Sequence, residues 1–370
     1  MTTPATPPLA PRTEGAAVRI GVLAPLTRPG WTEAGHHLLA GLEQGVREAG
    51  GIDGTPLELV VRDTAADPRR AEAAVDELAA LGVAALAGEY HSVVARAAAA
   101  RADALGLPFL CSSAVLDALT EQPTPWVARL CPPQSRGWRI YADFLLAAGH
   151  RDIAVAAQPS VYWAAGTRIL KDHLAARGGT VHELDLSALT PAAVCDRLAE
   201  LRTTALLLLA GHPDPAAAVV RAVRGDRRLA RVLVGAPAGQ PEFSDWPARL
   251  GADGAAIPFL RYLPERLGAL GTRVEAALRA RLGQAPSFVA FEGYDTIAVL
   301  AAVLRAGGGE RARTAAAWPE VDVEGTRGRI RFTRTPGIGV WQWAGPPVQV
   351  VDRDPAAVDS FRVLRAVPAG

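Results

Sequence analysis

VAALAGEYHSVVARAAAARADALGLPFLCSSA, residues 83–114, contains a complete strand–helix–strand unit. A run of small apolar residues (83–87) stops at Gly88. Tyr90, His91 and Ser92 follow, and then an alanine-rich stretch (93–105) with helical character. A second apolar run (107–111) stops at Ser112, Ser113 and Ala114. Two short apolar strands joined by such a helix pair in parallel, because the connection must cross over the sheet. Both strands end in small hydroxyl-bearing residues. The carboxyl ends of parallel strands are where open α/β sheets bind ligands. A small polar solute is therefore expected at this edge.

The alternation extends in both directions. Residues 18–23 read as a buried strand, 31–48 as a helix stopped by Gly50 and Gly51, and 57–62 as a strand. Asp67 as N-cap and Pro68 at the first helical position open a helix to about residue 81. A second series then begins. It has helix patterns at 136–148, 162–177 and 213–224, a helix opened by Thr190 and Pro191, and strands at 152–157, 181–186, 205–210 and 231–235. This predicts two α/β units with parallel sheets flanked by helices and a seam near Cys131, Pro132 and Pro133. Helical patterns at 264–282 and 287–306 follow, and the tail from Arg327 reads as strands. Residues 1–16, rich in Pro and Thr, are expected to be disordered.

Composition narrows the function classes. The chain has 370 residues, 49% hydrophobic and 21% charged, as in a soluble protein of two domains. Its formal net charge of +1 leaves no field for nucleic acid or an anionic membrane. No apolar run is long enough to insert in a bilayer. With no export signal or lipoprotein cysteine in the sequence as written, a cytoplasmic location is expected, and a cell-surface one if the true N-terminus differs. Cys111, Cys131 and Cys195 stand far apart and read as small buried residues. His36, His37 and His91 lack the spacing of a metal site, so neither metal nor cofactor is expected. The only lysine, Lys171, follows no glycine loop, which excludes a P-loop. The serine-elbow and zinc-helix motifs are absent, and no enzymatic activity is expected.

Five motifs occur in a fixed order: VRIGVLAPLT (18–27), EAGGIDGTPLELVVRDTAADPRRAEAAVDEL (48–78), VAALAGEYHS (83–92), FEGYDTIAVLAAVLRAGG (291–308) and GTRGRIRF (325–332). Together they resemble the type I periplasmic solute-binding proteins of the leucine/isoleucine/valine-binding group. The phrase GEYHS also resembles the cytoplasmic amide-sensing branch. The resemblance implies two Rossmann-like lobes joined by a three-strand hinge and closing on a small ligand. It places residues 17–133 and 262–333 in lobe 1, residues 134–261 and 334–370 in lobe 2, and the crossovers near 132–136, 257–263 and 332–336. It implies an amino acid, amide or related carboxylate as ligand, and an ABC permease or a regulatory protein as partner.

Carried over by position, the resemblance assigns Ser92 to a ligand oxygen and gives Ser113 and Ala114 the same end. Tyr162 covers the ligand, His212 stands at an aromatic position, and Trp31 enters the first helix beside the cleft. Tyr90 and His91 flank Ser92. The residues alone also permit simpler roles. They allow Ser92 as a helix cap, Tyr162 and Trp31 as packing, and His91 or His212 as the base of an enzyme on the same scaffold. Amino-acid binders pair the ligand ammonium with an acid in the second lobe. Here that stretch reads VGAPAGQPEF (234–243), with Pro237 near the position. Glu89, Glu242, Glu292 or Asp295 would have to supply the charge instead.

Overall fold

The computed structural model describes residues 17–369. The tail expected to be disordered, residues 1–16, lies outside them. The first unit runs β1 (Val18–Ala24), α1 (Thr32–Ala49), β2 (Leu57–Asp63), α2 (Pro68–Ala80), β3 (Ala85–Gly88), α3 (Ser92–Ala104), β4 (Phe109–Cys111) and β5 (Val127–Arg129). These strands pair in parallel in the order β5-β4-β3-β1-β2. Helices cover both faces, so Ile20, Val22, Leu86 and Leu110 have no exposed surface. Asp67 caps α2 as expected, accepting from Arg69 N–H at 2.8 Å, a contact worth about 1 kcal/mol.

The second unit repeats the plan with α4 (Gln134–Ala147), β6 (Asp152–Ala157), α5 (Val161–Ala175), β7 (Thr180–Asp185), α6 (Pro191–Leu201), β8 (Ala205–Leu209), α7 (Ala216–Gly225) and β9 (Leu233–Gly235). Its parallel sheet has the order β7-β6-β8-β9. Thr190 caps α6 through Ala193 N–H at 3.2 Å. A short α8 (Asp245–Leu250) precedes β10 (Phe259–Arg261), where the chain leaves this unit.

Three helices then return toward the first unit: α9 (Ala269–Leu282), α10 (Phe288–Gly307) and α11 (Arg311–Ala316). Helix α10 lies directly on α1. A Cβ on Gly41 would stand 1.9 Å from Ala290 O, so only glycine permits this approach. The hairpin of β11 (Val323–Gly325) and β12 (Gly328–Ile330) leads to β13 (Phe332–Arg334) and β14 (Trp341–Trp343).

Here the structure corrects the expected division. Strand β14 pairs in parallel with β5, and β13 pairs with β14, so residues 334–343 join 332–333 in the first sheet rather than belonging to lobe 2. The third crossover is at residues 344–347, not 332–336. The physical reason is Arg129. Its side chain is fully buried, and its Nε donates to Gln342 Oε1 at 2.7 Å, which fixes β14 beside β5. The chain ends with β15 (Val348–Asp354) and β16 (Ala357–Val367), antiparallel and joined to β10, with β15 packed on α4.

Candidate functional site

The two units meet over a cavity of about 270 Å³. Trp31, at the start of α1, is the centre of the contact. Its ring centroid lies 5.7 Å from Tyr90, 5.8 Å from Phe243 and 6.4 Å from His212. Tyr90 also meets Phe243 at 5.9 Å. Aromatic residues of both units thus stack edge to face across the seam, each pair worth about 0.5–1.5 kcal/mol beyond its area.

One end of the cavity is the N-terminus of α3, lined by Ser92, Val93 and Val94. Ala95 N–H makes the first backbone bond of the helix, to His91 O at 2.8 Å, and no side chain caps the turn before it. The N–H groups of residues 92–94 are left for an external acceptor, and the helix dipole favours a partial negative charge there. Ser92 does not cap the helix. Its Oγ accepts from Leu116 N–H at 3.3 Å, which leaves the hydroxyl proton to donate elsewhere. Arg129 holds the opposing loop by donating to Val115 O and Leu116 O at 3.2 and 2.6 Å. On this loop Ser113 lines the cavity, 4% exposed; its Oγ makes no short hydrogen bond among the described residues, though it lies close enough to the Glu292 carboxyl to lower its pKa. His91 Nε2 accepts from Trp31 N–H at 3.1 Å, so Nδ1 carries the proton of the neutral ring. Burial pushes its pKa down to about 4, and it stays neutral at physiological pH.

The sequence-predicted residues Trp31, Tyr90, His91, Ser92, Ser113 and Tyr162 all line this cavity. Three others do not. Ala114 is fully buried in the core, and its carbonyl accepts from the thiols of Cys131 and Cys111 at 3.0 and 3.7 Å. His212 packs behind Trp31 on Trp246, 5.4 Å between centroids, with Nε2 at 3.3 Å from Asp245. Glu292 is fully buried and paired with Arg327 at 3.2 Å. Among the wall residues that the sequence reading missed are Ser160, Trp163, Tyr262 and Phe288. Ser160 caps α5 through Tyr162 N–H at 3.2 Å, a signal the local sequence did carry. Tyr262 and Phe288 flank a connection, where no periodicity marks the inward face.

The nearby acids are engaged elsewhere, except that Glu292 Oε2, behind Ser113, has no hydrogen-bond partner among the described residues. Glu89 accepts from the N–H groups of Tyr90 and His91 at 2.8 and 2.9 Å and from the Thr64 hydroxyl at 2.6 Å. Burial outweighs these bonds and pushes its pKa up to about 7. The folded protein therefore holds a proton that the unfolded chain releases near its ordinary value of 4.5. Stability from this group is complete below about pH 4.5 and is lost as pH rises through 7. Glu89→Gln keeps the geometry and removes the titration. Its melting temperature is expected to fall less than that of the parent between pH 5 and pH 8, by up to about 3 kcal/mol in stability. Parallel melting curves across that window check it; identical slopes would contradict it.

A latch closes the outer rim. The Glu33 carboxylate of α1 accepts from Ser244 N–H at 3.0 Å and from its hydroxyl at 2.7 Å, joining the two units. The pair is exposed, so its worth is about 1 kcal/mol. Glu33→Ala is expected to weaken any ligand held by the closed state about fivefold and to raise the radius of gyration. Calorimetry and small-angle scattering measure the two effects.

The sequence profile of the periplasmic binding proteins matches residues 17–344. A search of curated proteins finds no match. Among solved structures, the chain is similar to a leucine-binding protein of Thermotoga maritima, at 19% identity over 95% of this chain and 99% of that one, with a TM-score of 0.83. It is also similar to a Desulfitobacterium hafniense substrate-binding protein in complex with Leu, at 20% identity over 94% and 100%, TM-score 0.78. A Rhodopseudomonas palustris solute-binding protein in complex with benzoate matches at 19% over 96% and 98%, TM-score 0.79. With the profile covering most of the sequence and both lobes built as that fold requires, the chain belongs to the periplasmic binding protein family.

Proposed function

We propose that the protein is a solute receptor that closes its two lobes on a small carboxylate or amide, as the substrate-binding component of an ABC-type uptake system. The observation that carries this reading is the α3 N-terminus. Free N–H groups, the Ser92 hydroxyl and the unpartnered Ser113 hydroxyl converge on one end of an interlobe cavity. A carboxylate or amide oxygen satisfies them, and the lobes supply the closing motion. Relatives of the same fold bind Leu and benzoate, which fits an oxygen-bearing anchor with a variable body.

A thermal-shift panel of aromatic and aliphatic carboxylates, amides and amino acids tests the reading. A ligand at a hundredfold over its Kd is expected to stabilise by about 2.7 kcal/mol. A blank across all classes would reject it. The uptake role further requires export of the chain. Fractionation of the host cell separates that role from an intracellular sensor using the same cleft.

A further inference from the structure

We propose that the cleft selects carboxylates without an ammonium group, and specifically single-ring aromatic acids. This rests on the receptor reading above and names its ligand class. Six aromatic rings line the cavity: Trp31, Tyr90, Tyr162, Trp163, Tyr262 and Phe288. Among the described residues, no Asp, Glu, Lys or Arg lines it. The anion-binding equipment is confined to the α3 end, and the remaining wall is apolar or aromatic with a few small residues.

The acids that could answer an ammonium are shielded. Both carboxylate oxygens of Glu89 are taken by Tyr90, His91 and Thr64. Glu242 is held by Arg261 at 2.9 Å and by Phe288 N–H at 3.0 Å. Glu292 and Asp295 share Arg327 at 3.2 and 2.8 Å; Glu292 Oε2 stays unpaired, but it sits behind Ser113 and outside the cavity wall. A primary ammonium drawn into this cavity loses its water and meets no anion, which is costly. Cation–π contact with the rings recovers only part of that cost. An aromatic ring meets the same walls with no such penalty and gains ring–ring contacts.

Calorimetry with matched pairs tests the inference. 3-Phenylpropanoate is compared with phenylalanine, and 4-methylpentanoate with leucine; benzoate and glycine betaine complete the set. Each des-amino acid is expected to bind at least thirtyfold tighter than its amino-acid twin, and the aromatic acids tighter than the aliphatic one. Ala238 lines the second-lobe wall, and Ala238→Glu places a carboxylate there. This variant is expected to shrink or reverse the ratio within each pair. Tighter binding of leucine or phenylalanine than of its twin by the parent would overturn the inference while leaving the receptor reading intact. Betaine as the tightest ligand would overturn it too, assigning the rings to a quaternary ammonium. Binding confined to amides in the broader panel would do the same. A blank for every class would strike the receptor reading itself.

Discussion

Replacing Arg327 with methionine is expected to remove about 3–5 kcal/mol of stability, a large share of the 5–15 kcal/mol that holds a typical domain. Arg327 is 1% exposed in the β11–β12 turn. Its Nε donates to Asp295 at 2.8 Å, its Nη1 donates to Glu292 at 3.2 Å, and its guanidinium lies 5.0 Å from the Trp343 ring centroid. Without the cation two carboxylates remain in the core of α10. Burial already pushes Glu292 up to about 7 with Arg327 in place. In the variant both carboxyls rise further. The folded form then binds more protons than the unfolded chain over a wider range, so the deficit grows as pH increases. Urea denaturation at pH 6 and pH 8 measures both the loss and its growth. Adding Glu292→Gln and Asp295→Asn is expected to restore much of the stability, since the cost lies in unpaired charge rather than in the missing contact. A variant as stable as the parent would show that this cluster is not sealed from water.

Ser92→Ala combined with Ser113→Ala is expected to weaken the preferred carboxylate at least a hundredfold. Each hydroxyl donating to a charged oxygen is worth about 1.5–3 kcal/mol, and a hundredfold is about 2.7 kcal/mol. The two serines differ in what else they do. Ser92 Oγ also accepts from Leu116 N–H, so its loss costs about 1 kcal/mol of folding stability. Ser113 Oγ makes no short hydrogen bond among the described residues and acts only on the nearby Glu292 carboxyl, so removing it is expected to change stability little. Ser113→Ala alone therefore separates binding from folding: affinity falls, melting temperature does not. Affinity within threefold of the parent in the double variant would remove both hydroxyls from the site.

The fold was legible where local chemistry and periodicity agreed. The strands β1, β3, β4, β6, β8 and β9 are short apolar runs, β2 and β7 alternate polar and apolar residues, and Asp67-Pro68 and Thr190-Pro191 open their helices as the residue types dictate. The three-residue strand β5 escaped because so short a run carries no period. The sheet membership of β14 escaped for a different reason. A buried hydrogen bond between Arg129 and Gln342, 213 residues apart, decides it. No local pattern reports such a pair.

The same distinction governs the site. Tyr90, His91, Ser92, Ser113 and Tyr162 follow strands whose ends face the cleft, so their placement came from topology. Glu292 and His212 have suitable chemistry but the wrong depth. One is sealed by Arg327, and the other is turned onto Trp246. Side-chain partners decide such cases, and they become visible only when the sheets are assembled.

The most direct test of the central claim is amide hydrogen exchange at residues 92–94, with and without saturating benzoate. If a carboxylate sits on the α3 N-terminus, exchange of these N–H groups is expected to slow by at least tenfold, with smaller changes elsewhere in α3. Benzoate that stabilises the protein but leaves these three amides unchanged would place the ligand's oxygen end somewhere else and contradict the account.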